Sequence, residues 1–263
     1  MLIGKAGEAK SAIATADSAS ITIRGKDLAT ELMGVMTFTE LFVFHLTGKE
    51  ATKDQVFFLD ALLVAITEHG LTPSVQASRM TLAAEPNAMQ AAVAAGILGC
   101  GSVILGASET AGRLLAEGVR RVSEGEGDTD AVARVIAEET RGAKARLPGF
   151  GHPHLKPVDP RTVRLLTLAD ERGVSGPHVA MVRGLSKAAD EVWGRQMVLN
   201  VSGAIPAIML DLDFPVASLK GVPILARTAG LLGHLVEERE RPIGFLIAHQ
   251  AEEAVTYDGP PAV

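Results

Sequence analysis

Residues 86–108 carry no charged side chain, a stretch long enough to span a bilayer. A segment of this kind has to be hidden from water, either by lipid or by the rest of the chain. Pro86, Asn87, Gln90 and the glycines Gly96, Gly99, Gly101 and Gly106 interrupt it, and it has no aromatic or basic anchors. The expectation is therefore a fully buried helix pair outside any membrane, with small residues that let backbones approach closely, as at a subunit interface. Composition agrees: 47% of the 263 residues are apolar but only 4% are aromatic. Alanine, leucine and glycine must fill the interior, which suits closely packed helices.

Helix punctuation runs along the rest of the chain. Asp27 is placed to cap a helix beginning at Leu28, with Glu31 in its first turn. Thr52 or Asp54 can start the next, whose apolar positions Val56, Leu59, Leu63 and Ile66 keep a helical period up to Gly70. Further helices are predicted over 108–121, 128–141, 160–172, 177–194, 203–211 and 221–238. Pro157, Pro177, Pro206 and Pro223 sit near starts or first turns, where a missing amide is tolerated. Alternating strands with hairpin signals do not accumulate. The fold class expected is all-α, one domain over 1–263 with a lid-like subdomain around 110–195.

Four segments carry candidate chemistry. In Pro148-Gly149-Phe150-Gly151-His152 the glycines permit backbone conformations that hold a histidine close to a ligand. Arg161 follows in Asp159-Pro160-Arg161, and its planar guanidinium suits a carboxylate. His69 ends an apolar helix, where a histidine also fits simply as a cation favoured by the helix dipole. Arg227 lies in an otherwise uncharged run from Val222 to Leu232, where a charge is normally paired. Arg241-Pro242, after the charged helix end at 237–240, reads by itself as surface. His152 and His154 form a His-X-His without a third ligand cluster, so no metal is expected.

These segments, in this order, resemble the citrate synthase family. PGFGH with DPR looks like its active-site loop; EHG followed by Pro73-Ser74 and Arg79, ARTAGLLGH over 226–234, and Arg241-Pro242 are similar to further family motifs. The resemblance implies a citrate synthase-like helical fold with a large helical core and a smaller lid. It implies that His69 and His152 hold the keto or hydroxyl oxygen, and that Arg161 and Arg227 bind carboxylates. Arg241 would reach into a partner subunit's site, and Gly149, Phe150 and Gly151 are the candidate contacts to a coenzyme A thioester. Two positions depart from the family. Ile104 stands where the synthase branch has a second catalytic histidine, a loss that resembles the citryl-CoA lyase branch. Ser202, in Asn200-Val201-Ser202, stands where relatives have the aspartate that moves the α-carbon proton, and a serine hydroxyl needs a base of its own. Asp211, roughly 13 Å further along one helix, is too far to replace it.

Three functions stay open. One is a citryl-CoA lyase-like enzyme that cleaves or forms a 3-hydroxy-3-carboxyacyl-CoA. Another is a related thioester hydrolase, or a lyase for another acid, in which Ser202 takes a new role. The last is a ligand-binding homologue without turnover. A net charge of −6 gives no field for nucleic acid, and no Gly-Lys-Ser/Thr phosphate loop suggests nucleotide triphosphate use. The partners expected are a di- or tricarboxylate, a coenzyme A thioester and a second copy of the chain. The first twenty residues contain no continuous apolar core, so the cytoplasm is the expected location.

Overall fold

The structure, a computed structural model, describes residues 9–151 and 157–260. The predicted site residue His152, with His154, lies outside the described residues. Eleven α-helices account for most of the described residues, and the chain divides into two compact units at Asp60–Ala61.

The first unit holds a feature that the sequence did not announce. β1 (Ala14–Ala16), β2 (Ile21–Ile23) and β3 (Lys26–Asp27) form an antiparallel sheet in that order. Strands of two or three residues are too short to show alternation; their turns define them instead. Asp17 Oδ1 accepts the amides of Ala19 and Ser20 at 2.7 and 2.8 Å. Arg24 and Gly25 both take positive φ, 51° and 86°, the pattern of a two-residue hairpin turn. Asp27 caps as expected, accepting the Thr30 amide at 2.8 Å, but the segment it caps is a single π-helical turn, Leu28–Leu32. Helix α1 (Phe38–Thr47), unforeseen, begins with a reciprocal capping box between Thr37 and Glu40. α2 (Lys53–Thr67) starts where predicted, the Thr52 hydroxyl and the Gln55 side chain each accepting the other's amide at 3.1 and 3.0 Å.

The second unit contains the remaining helices: α3 (Pro73–Ala84), α4 (Met89–Ile104), α5 (Gly106–Ser123), α6 (Thr129–Gly142), α7 (Pro160–Glu171), α8 (Pro177–Trp193), α9 (Val201–Asp211), α10 (Gly221–Glu240) and α11 (Gly244–Ala254). Its centre is α9, apolar all round and buried from Gly203 to Leu210, against which α5, α7 and α8 pack. α3, α4, α10 and α11 form a neighbouring group, with Leu82, Ala92 and Leu235 closing its interior.

The uncharged run is a broken helix. Gly101, at φ 54° and ψ −168°, interrupts α4, and Met89–Gly101 meets Gly106–Ser123 at 46°. Among the described residues no single helix is long and apolar enough to cross a membrane, and only this bent pair reaches the required length together. The expected complete burial is not met within one chain. Ala92 and Cys100 are covered but Leu98 is 80% exposed, because α3 and α10 cover only one side of α4.

Candidate active site

A cavity of about 230 Å³ opens within the second unit where the ends of several elements meet. Ile66 and His69 come from the end of α2 and the turn after it, and Ile104, Leu105, Ala107 and Ser108 from the α4–α5 bend. Gly151 and Arg161 come from the glycine loop and α7, Asn200, Val201, Ser202 and Ile205 from the start of α9, and Pro223 and Arg227 from α10. Of the predicted site residues, His69, Gly151, Arg161, Ser202 and Arg227 share this space.

The two arginines reach it by different means. Asp159 caps α7 and, fully buried, accepts Arg161 Nε at 3.0 Å, Arg161 Nη2 at 2.8 Å and the Arg161 amide at 3.0 Å. It also accepts the Val201 amide at 3.1 Å, so one carboxylate ties the starts of α7 and α9 together. Burial works to raise the Asp159 pKa, but Arg161 and the two amides outweigh it and the carboxyl stays below its ordinary value. Arg227 has no such partner: it forms no hydrogen bond or ion pair with any described residue. Loss of water around its partly buried guanidinium lowers its pKa; Cys100 and Glu68 act against this, and the charge of Arg161 adds to it. Two guanidinium groups thus face one cavity, an arrangement that can hold an anion between them.

The glycine loop is zipped to the segment before α9. Gly151 donates to the Val198 carbonyl at 2.7 Å, Asn200 donates its amide to the Gly149 carbonyl at 2.9 Å, and Asn200 Nδ2 donates to the Gly151 carbonyl at 2.7 Å. Gly149 takes φ 82°, and a Cβ on it would stand 2.8 Å from Gly203 Cα. Gly149 and Phe150 thus position the loop without lining the cavity; only Gly151 of the three does. Asn200 is also the α9 cap, its Oδ1 accepting the Ser202 amide at 2.9 Å. α9 therefore begins two residues before the predicted start, and Ser202 sits in its first turn. The Ser202 hydroxyl makes no hydrogen bond to a described histidine. Asp211, at the far end of α9, is committed elsewhere: it accepts the amides of Gly176, His178 and Val179 at 2.8–2.9 Å and lies 2.8 Å from His178 Nδ1.

α10 brings Arg227 beside His69 through Gly230, where any Cβ would overlap the Thr67 carbonyl oxygen. Arg241 is not at the cavity; its side chain is exposed and its carbonyl accepts Arg79 Nη2 at 3.2 Å. Sequence reasoning missed the parts played by Asp159, Asn200 and Glu68. Asp-Pro before a helix and Asn before a helix are capping signals that would have pointed to the first two.

A family model described as citrate synthase, C-terminal domain, matches residues 7–246. Among curated relatives, the citrate synthase of Saccharolobus solfataricus is 24% identical over 84% of this chain and 60% of its own length. That of Synechocystis is 28% identical over 77% and 50%. The chain thus spans about half the length of these relatives. Among solved structures, citryl-CoA lyase from Hydrogenobacter thermophilus superposes with a TM-score of 0.86 at 31% identity, covering 98% of this chain and 97% of that one. ATP citrate lyase from Methanothrix soehngenii, solved with citrate and coenzyme A, gives a TM-score of 0.77 at 20% identity over 98% and 43%, a likeness of fold.

Proposed function

The chain belongs to the citrate synthase family, and on that premise we propose that it cleaves a 3-hydroxy-3-carboxyacyl-CoA of the citryl-CoA type into an oxo acid and an acyl-CoA. The observation that carries this reading is the pair of arginines that share the cavity with His69, one of them, Arg227, without a hydrogen bond or ion pair to any described residue. Two carboxylates of the acid would pair with Arg161 and Arg227, leaving its hydroxyl toward His69. Near-complete mutual coverage with a citryl-CoA lyase supports the lyase direction, as does Ile104 in the cavity wall, which offers no hydrogen bond to an enolate.

The reaction needs a base for the hydroxyl proton. As that proton leaves to an imidazole, the oxygen forms a carbonyl, the adjacent carbon–carbon bond breaks, and its electrons pass to the thioester as an enolate. A proton returned to the α-carbon completes the acyl-CoA, so no net proton is consumed. His69 is the described group suited to the first transfer, since an imidazole can take a proton from a hydroxyl and return it. Ser202 cannot make the return, so water beside it is the donor in this scheme, and turnover is slow. A nucleophilic role for Ser202 finds no support, since no described histidine activates its hydroxyl.

Citryl-CoA mixed with the protein should give acetyl-CoA and oxaloacetate in equal amounts, followed by mass spectrometry. Release of free coenzyme A instead would indicate hydrolysis, and no product at high enzyme concentration would end the reading. Ser202→Asp should raise the rate, by on the order of 10²-fold or more, if one positioned base is what the site lacks. A second copy of the chain is the proposed cover for the open face of α4 around Leu98.

A further inference from the structure

Behind His69 runs a line of polar groups, from the half-exposed Glu68 through His234 to the buried Arg79 and Glu238, that the proposed reaction does not use. Glu68 Oε1 accepts the amides of both His69 and Gly70 at 2.7 Å, so this carboxylate sets the turn that presents His69. Its other oxygen lies 2.8 Å from His234 Nε2. On the opposite side of that ring, Nδ1 is 3.2 Å from Arg79 Nη1. A guanidinium only donates, so Nδ1 must accept; the ring proton is then on Nε2, close to Glu68 but without the alignment of a full hydrogen bond. Arg79 is 2% exposed; besides the contact with Nδ1 of His234, its Nε donates to Glu238 at 2.6 Å, Nη1 to Glu237 at 2.8 Å, and Nη2 to the Arg241 carbonyl. Glu238, itself buried, accepts the amides of Ile243 and Gly244 at 2.9 and 2.7 Å.

We propose that Glu68 and His234 are positioning residues for His69, with Arg79 as the fixed anchor that selects the His234 tautomer. His69 follows the end of α2, and the amides of its turn are held from behind by Glu68. A buried cation with four oriented contacts cannot shift without stranding its carboxylates. Through His234 that rigidity reaches Glu68, and through Glu68 the two amides of the His69–Gly70 turn. The consequence for the proposed reaction, on which the kinetic part of this inference rests, is a His69 ring held at one distance from the substrate hydroxyl. Displacing a reacting group by an ångström lowers rates by as much as ~10²-fold.

The test separates donor pattern from bulk. Glu68→Gln still accepts the two amides but turns an NH₂ toward the His234 ring proton, so it breaks the relay while conserving shape. His234→Leu removes both ring contacts; His234→Gln can accept from Arg79 and donate to Glu68. Citryl-CoA cleavage should fall about 10- to 100-fold in kcat for Glu68→Gln and His234→Leu. KM should change little, and His234→Gln should recover most of the rate. Melting temperatures report whether the variants fold. A readout independent of turnover is the ring-nitrogen NMR signal of His69, assigned by comparison with His69→Gln. It should move in Glu68→Gln and His234→Leu and return in His234→Gln. If the signal stays in place in folded Glu68→Gln and His234→Leu, positioning is overturned, whatever the kinetics. If it moves as expected but citryl-CoA is not cleaved by the parent protein, the relay stands and the reaction assignment fails.

Discussion

Arg161 and Arg227 line one cavity but answer the cost of burial differently, and this difference makes the site testable residue by residue. Arg161 is neutralised within the chain by Asp159, so its charge is oriented before any ligand arrives. Asp159→Asn keeps the shape but leaves a half-buried guanidinium unmatched. Breaking such a pair costs about 3 kcal/mol, at the lower end for buried pairs because Arg161 retains 22% exposure. A melting experiment should show that loss, and calorimetry should show weaker oxaloacetate binding as the α7 and α9 starts separate. The arginines themselves were legible in the sequence because each sits inside a local motif. Asp159 was legible only as a letter of that motif, since its second task, holding the Val201 amide, depends on a contact 42 positions away.

Elements were readable where local chemistry marks their ends. α7 and α8 start at Pro160 and Pro177 as predicted, because a proline at the first helical position is a local signal. The small sheet and the π-helical turn were not readable: strands of two or three residues have no periodicity to detect. The Glu68–His234–Arg79–Glu238 line was invisible for another reason, its contacting members being 155 positions apart or more. Between these extremes is Gly230, a letter of the 226–234 motif whose missing side chain lets α10 press onto the Thr67 carbonyl at the end of α2. Gly230→Ala should force the helices apart, at about 1–3 kcal/mol for an overpacked interface. Because Arg227 and His234 lie on either side of it, oxaloacetate affinity should drop with stability. A Gly233→Ala control, where a Cβ meets nothing, should leave both unchanged.

At the scale of the whole chain, a net charge of −6 surrounds a cavity whose strongest local charges are cationic. Acid should expose how the carboxylates contribute. Asp159 and Asp211 are both buried, and burial alone would raise their pKa values. Hydrogen bonds from Arg161 and backbone amides, and from His178 and backbone amides, reverse that, so both pKa values fall below the ordinary aspartate value. Groups depressed in this way contribute fully above the unfolded pKa of about 3.9 and lose their contribution as pH falls through the lower folded value. Stability should therefore hold from pH 7 to about 5 and decline steeply below 4, and Asp211→Asn should flatten that decline.

The Arg227 charge, which no described residue pairs with, gives the opposite lever, because any polycarboxylate that pairs with it binds the folded chain alone. A ligand at a hundred times its dissociation constant stabilises by about 2.7 kcal/mol. For a chain of this size that corresponds to a melting shift of roughly 5–10 °C. Citrate should raise the melting temperature by such an amount at neutral pH, while a monocarboxylate such as acetate, able to satisfy one guanidinium only, should have little effect. Arg227→Met removes the cation and its desolvation cost together, so the variant should melt at or above the temperature of the parent without ligand and no longer respond to citrate. A parent protein indifferent to citrate, or an Arg227→Met variant that still responds in full, would mean that the two arginines do not share one polycarboxylate.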